Sequence, residues 1–229
     1  MQLRQNARGH RLVHGSYVLS ELPHLPGPTH SVFDLFAAAA AALSPGGELV
    51  LLGFAAGGMV APLRALGLDD RVEGVDLELF GAKVFHRVAR DWAGAVRVSQ
   101  MDAEQYLRLR RRRAACVVED LSIQLGAHRV EKPELCFESL PRLVARRLAP
   151  DGVAIFNLFP TGKRSWAELE RAVAAPFAQA RVVRLHGFDN RVVLAGRTLP
   201  GAREVRRRLD AMLDLIGSRL ARAFGVHSM

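Results

Sequence analysis

The sequence predicts a doubly wound α/β protein: a seven-stranded, mostly parallel sheet with helices on both faces, a short N-terminal β extension and a C-terminal helix. Three observations carry this. From residue 44 onward, short apolar runs alternate with helix-length segments. The runs are apolar throughout, which is how strands buried on both faces read. The last two runs lie too close together for a crossover helix. Parallel strands joined by right-handed crossovers give a doubly wound layout.

Taken in order, residues 1–29 form the extension. RLVHGSYVLSEL alternates enough for one or two short strands, and the PHLPGP that follows is turn-forming. Residues 30–43, with Phe33, Phe36 and an alanine run, read as a helix opening a central domain of residues 30–199. Strands are expected at Glu48–Gly53, Arg71–Asp76, Ala95–Gln100, Ala114–Glu119 and Gly152–Asn157, with helices opening near Gly58, Leu79, Asp102 and Pro133. After a helix around Ser165–Ala175, the runs Ala180–His186 and Arg191–Gly196 meet across HGFDN, so they form an antiparallel hairpin. Residues 200–229 carry a helix over 202–224. Its apolar stripe is Val205, Leu209, Met212, Leu213, Ile216, Leu220 and Phe224. Both charge signs on its polar face favour docking on its own domain, or on a second subunit in a homodimer, over membrane contact.

The 229 residues are 49% hydrophobic and 24% charged, the profile of a folded globular chain. Two cysteines, Cys116 and Cys136, exclude a disulfide framework. The eight histidines show no metal-ligand spacing, so no metal is expected. No apolar run reaches the ~18 residues of a membrane helix. MQLRQNARGHRL lacks the apolar core of a signal peptide, so the expected compartment is the cytoplasm. There is no GxSxG motif and no P-loop. Lysine and arginine exceed acidic residues by 32 to 23, a net charge of +9. The densest basic cluster, Arg108 and Arg110 through Arg113, reads as a solvated loop, because no nucleic-acid motif or interleaved aromatic platform accompanies it. The net charge alone leaves a nucleic-acid partner open.

The strand ends hold the chemistry. The first strand and turn, GELVLLGFAAGGMVAPL, place small residues before a helix, where a ligand can approach the backbone closely. Asp76 ends the second strand, where a carboxylate can accept both hydroxyls of a ribose. Asp102 follows the third strand, where a carboxylate can accept from an adenine amine. It also fits a capping box with Gln105. The loop after the fourth strand, with Ser122, Gln124, His128 and the stretch to Lys132, lies where substrates of such sheets enter and is a candidate acceptor lid.

The series ELVLLGFAAGGMVAPL, VEGVDLELF, VRVSQMDAEQYL, AACVVEDLSI and LAPDGVAIFNLF resembles the polyamine aminopropyltransferase (spermidine synthase) branch of the class I methyltransferase superfamily, over roughly residues 30–196. The resemblance implies S-adenosylmethionine, its decarboxylated form or methylthioadenosine as the bound nucleoside, and a small-molecule acceptor. It implies Gly53, Ala55 and Gly57 beside the methionine portion, Asp76 with Leu77 at the ribose, Asp102 with Ala103 at the adenine, and Glu119 completing the cofactor contacts. Asp120 matches the carboxylate that deprotonates the attacking amine. Two positions depart from the family. Ala56 replaces the acidic residue of the glycine loop, and Ile123 replaces the carboxylate that grips a diamine. Losing both removes charge pairing to a dication, so methyl transfer is favoured over aminopropyl transfer. A non-catalytic nucleoside-binding relative is a third reading.

Overall fold

The computed structural model describes residues 1–125 and 129–229. At the N-terminus β1 (Gln2–Asn6), β2 (Gly9–His14) and β3 (Tyr17–Pro23) form an antiparallel three-stranded sheet. The chain then alternates α1 (Val32–Leu43), β4 (Leu49–Leu52), α2 (Val60–Ala65), β5 (Val72–Asp76), α3 (Phe80–Val88), β6 (Val96–Gln100), α4 (Ala103–Leu109) and β7 (Ala114–Glu119). A hairpin of β8 (Ile123–Leu125) and β9 (Arg129–Glu131) and a 3-10 turn at Glu134–Cys136 precede α5 (Leu140–Arg147) and β10 (Leu148–Leu158). The chain closes with α6 (Trp166–Ala174), β11 (Gln179–Leu185), β12 (Arg191–Gly196), α7 (Ala202–Leu215) and β13 (Phe224–Ser228).

The central sheet runs β13-β11-β12-β10-β7-β4-β5-β6. The five strands from β6 to β10 are parallel, and β12, β11 and β13 pair antiparallel. This is the mostly parallel α/β sheet with a reversed hairpin that the apolar runs predict. Side chains of β4 divide between its faces, Leu49 and Leu51 on one and Val50 and Leu52 on the other. Helices α1, α2, α3 and α7 cover the first face, and α4, α5 and α6 the second. Ala37, Ala38, Ala39 and Ala40 of α1 are buried, which lets that helix lie close beneath α7 and α2.

Several elements differ from the sequence reading. The expected 202–224 helix stops at Leu215, because Gly217 takes φ +67 and Ser218 donates its N–H back to the carbonyl of Leu213. Phe224, the end of the helical stripe, instead opens β13, an eighth strand. In the N-terminal extension an additional strand, β1, has a mostly exposed face that shows no alternation; its register against β2 places it. The strand expected from Gly152 begins at Leu148, with a register shift before Val153 that accommodates Pro150.

One buried carboxylate ties the chain's beginning to its end. Asp34 accepts the N–H and hydroxyl of Thr29 (both 2.7 Å), the N–H of His30 (2.9 Å) and the hydroxyl of Ser218 (2.6 Å). Four donors offset the desolvation of the charge. They lock the turn after α7 against the start of α1.

His10 of β2 stands edge-to-face on His24 at 5.4 Å, and His24's carbonyl accepts the Trp92 indole N–H at 2.9 Å. Burial, then the charges of His24 and Arg87, hold the His10 pKa below its ordinary 6.5. The native state therefore binds fewer protons than the unfolded chain near that pH, and stability present above pH 6.5 is lost as pH falls through it. His10→Gln should flatten that acid-side loss. The check is the urea midpoint measured from about pH 7.5 to about pH 5 in both proteins.

Candidate functional site

The carboxyl ends of β4, β5, β6 and β7 meet at one edge of the sheet, stitched by backbone bonds. Gly53 N–H donates to the carbonyl of Val75 (2.9 Å), Met101 N–H to that of Asp76 (2.9 Å) and Asp120 N–H to that of Leu52 (2.8 Å). At Gly53 the chain turns with φ +85, and a Cβ there would stand 2.6 Å from the carbonyl oxygen of Asp120. Only glycine lets the loop after β4 lie directly on the end of β7. The next positions are shaped as tightly. Ala55 sits at φ +47, unusual for a residue with a Cβ. Its N–H donates to Asp76 Oδ2 at 2.8 Å, which compensates the strain. A Cβ on Gly81, in the first turn of α3, would come 2.0 Å from the Ala55 carbonyl oxygen, and one on Gly57 (φ +67) would strike the rings of Phe54 and Phe85. Phe54 is buried beneath the loop, edge-to-face with Phe85 at 5.2 Å.

Asp76 is half-buried, with Oδ2 on Ala55 and Oδ1 accepting the N–H of Glu78 at 3.1 Å. Each carboxylate oxygen retains a lone pair for a further donor. Leu77 beside it is 63% exposed, and its carbonyl accepts the Gln100 amide at 3.0 Å. Asp102 caps α4, accepting the Gln105 N–H at 2.9 Å, and Ala103 is buried at that helix's first turn. Gly53, Ala55, Asp76, Leu77, Asp102 and Asp120 thus stand at the ends of four adjacent strands. Ala56 is 1% exposed, so its side chain belongs to the core rather than to the loop's open face. Helix α2 has only six residues and no side-chain cap.

Asp120 is the chemically distinctive group. Its Oδ1 accepts the amide of Asn157 at 2.7 Å, and Asn157 Oδ1 accepts the amide of Asn190 at 2.9 Å. With its oxygen committed to Asn190, Asn157 turns its NH2 toward the carboxylate. Burial pushes the Asp120 pKa up to about 6, against the lowering effects of the Lys132 charge and the Asn157 hydrogen bond, with a further rise from Glu119. A carboxylate titrating there is poised as a general base near neutral pH. The sequence reading missed Asn157 and Asn190. Their signal was a lone amide at the end of an otherwise apolar strand, FNLF, and another in the turn before the next.

Glu119 is placed differently from its neighbour. It is fully buried on the opposite face, where Oε1 accepts Lys132 Nζ at 2.6 Å, the N–H of Leu121 at 2.8 Å and the Cys136 thiol at 3.3 Å. Lys132, at the end of the candidate acceptor lid, is equally buried. Ser122 and Gln124 are exposed on the hairpin arm, while His128 lies outside the described residues. Ile123 is 38% and Leu125 41% exposed on β8. Several of the clustered arginines are occupied at the other edge of the sheet. Arg110 pairs with Glu48, Arg108 with Glu104, and Arg113 donates to the carbonyl of Leu148. Among the described residues no group of three or more His, Cys, Asp or Glu could hold a metal ion, and no helix is long and apolar enough to cross a membrane.

No protein-family profile matches the chain, and no curated protein sequence matches it. Solved structures do. Human methyltransferase-like protein 13 in complex with SAH is similar with a TM-score of 0.65 at 16% identity, covering 81% of this chain and 92% of that one. A spermidine synthase in complex with the transition state analogue AdoDATO has a TM-score of 0.65 at 10% identity, covering 89% and 75%. The spermidine synthase of Thermotoga maritima has a TM-score of 0.60 at 10% identity, covering 77% of this chain and 62% of that one. At such identities the likeness is one of fold.

The close approach at Gly53 sets a stability test. Gly53→Ala forces a Cβ into a left-handed turn against the Asp120 carbonyl and should cost about 2–4 kcal/mol. Its urea-unfolding midpoint, compared with that of the parent chain, measures this.

Proposed function

We propose that this chain, which has the class I methyltransferase fold, is an S-adenosylmethionine-dependent transferase that moves a methyl group to a small acceptor presented to Asp120. The observation that carries the reading is Asp120 itself: a carboxylate with pKa near 6, oriented by Asn157 and Asn190, at the strand edge that also holds Gly53 and Asp76.

The residues present fit the nucleoside. The turn at Gly53 lays the loop's backbone directly on the end of β7, with no side chain between them, and Asp76 retains acceptor capacity for two hydroxyls. Leu77 offers an exposed apolar side chain beside Asp76 for a flat base. When bound, S-adenosylmethionine supplies a methyl group already activated on a sulfonium sulfur. The protein then needs mainly to position the partners, and Asp120 takes the proton that the acceptor's O–H or N–H must lose.

Methyl transfer is favoured over aminopropyl transfer by the charges around Asp120. Glu119 is spent on Lys132, Ala56 is buried and uncharged, and Ile123 is apolar. A dicationic diamine would meet one available carboxylate, whereas a monofunctional acceptor with an apolar body suits Asp120 beside the exposed Ile123 and Leu125.

Calorimetry with S-adenosylmethionine, its decarboxylated form and methylthioadenosine in parallel tests the reading. S-adenosylmethionine should bind more tightly than the decarboxylated donor, since no loop carboxylate rewards an unbalanced ammonium. The reverse order would replace methyl transfer by aminopropyl transfer. Nucleoside binding without turnover on any amine, oxygen or carbon acceptor would select a non-catalytic binding protein. Asp76→Ala should weaken nucleoside binding by about 2–3 kcal/mol, with the fold intact by circular dichroism. Unchanged affinity would move the ribose elsewhere.

A further inference from the structure

We propose that Lys132, held by Glu119 within the apolar layer under α5, is a positioning residue for Asp120: it supplies the one cationic charge acting on the base from among the described residues. The inference rests on Asp120 serving as the base. Among the described residues, Glu119 and Lys132 are the ion pair whose two side chains are both fully buried, and Lys132 Nζ also lies 5.5 Å from the ring centre of Phe159. An ion pair so placed costs desolvation on both members, and apolar residues of similar volume would serve packing as well or better. Stability alone therefore gives little reason for the pair. Its location gives another: Glu119 is the residue before Asp120, and Lys132 is where the chain returns from the β8–β9 hairpin.

The groups acting on Asp120 come from each element around it. Asn157 of β10 donates a hydrogen bond, Asn190 of the β11–β12 turn holds that amide, Glu119 of β7 repels, and Lys132 attracts. Burial works against the charged form of the base. Lys132 is the foremost of the influences opposing it. Glu119 fixes the ammonium by a 2.6 Å bond, and Phe159 lies against the same head group. A lysine whose ammonium is so tightly paired stays charged: burial lowers its pKa, but the Glu119 and Asp120 carboxylates outweigh it and leave the pKa raised.

The test is the titration of the Asp120 carboxyl carbon by NMR in the full chain, its signal assigned by loss in Asp120→Asn. Lys132→Met alone leaves Glu119 buried and unpaired and can fail to fold, so the decisive protein is the double variant Glu119→Leu, Lys132→Met. Its Asp120 should titrate higher than in the parent chain, by about one pH unit, because the lost attraction outranks the lost repulsion. Lys132→Arg, which keeps the cation, should titrate as the parent does. An Asp120 midpoint unchanged in the double variant, or displaced equally by Lys132→Arg, overturns the proposal and leaves the pair a packing feature. The titration needs no nucleoside. Calorimetry on the parent chain judges the transferase reading separately, so failure of one is distinguishable from failure of the other.

Discussion

At the end of β4 the chain turns out of the sheet so close to β7 that a single methyl group on Gly53 would stand 2.6 Å from the Asp120 carbonyl oxygen. That approach brings the loop, Asp76 and Asp120 to one edge of the sheet. It fixes where Ala55 falls, and the left-handed conformation of Ala55 in turn needs the Asp76 carboxylate on its N–H. Beneath the loop the space is filled by Phe54 and Phe85 rather than left open. The loop is therefore a tight rim on a packed core.

Buried charge is used in two distinct ways. Asp34 is a carboxylate satisfied by four neutral donors, and its partners come from both ends of the chain. It joins α1 to the turn after α7, the helical layer on one face of the sheet. Glu119 is satisfied by an ion pair, in the layer on the other face. The first arrangement explains itself as structure: removing Asp34 would strand several donors. The second sits one residue from Asp120, and its Oε2 finds no partner among the described residues, so it is costly where cheaper packing was available. That difference points the Glu119–Lys132 pair toward chemistry.

Much of the fold was legible because strands buried on both faces write themselves as unbroken apolar runs, and because HGFDN leaves no room for a crossover. The C-terminus was not. Leu220 and Phe224 continue the spacing of the α7 stripe, but the left-handed turn at Gly217 ends the helix and Phe224 enters a strand through pairing with β11. In the extension, β1 carries QLRQN, too polar to announce a strand. The site divides similarly. Gly53, Asp76 and Asp102 are singled out by their place after successive strands, and Asp120 by the resemblance. Asn157, Asn190 and Lys132 are not, because their roles are made by contacts between distant segments. The resemblance implies Glu119 as a cofactor contact, yet adjacent residues of a strand face opposite ways, and its carboxylate lies in the core.

The central claim is that the rim formed by Gly53, Asp76, Asp102 and Asp120 is a nucleoside site built by backbone approach. A crystal structure of the chain with S-adenosylhomocysteine tests it most directly. The expected result places the ribose hydroxyls within hydrogen-bond distance of Asp76, the base between Leu77 and the start of α4, and the sulfur facing Asp120, with the Gly53 turn unchanged. A nucleoside bound elsewhere, or one that enters only after the Gly53–Asp120 contact has opened, would contradict it.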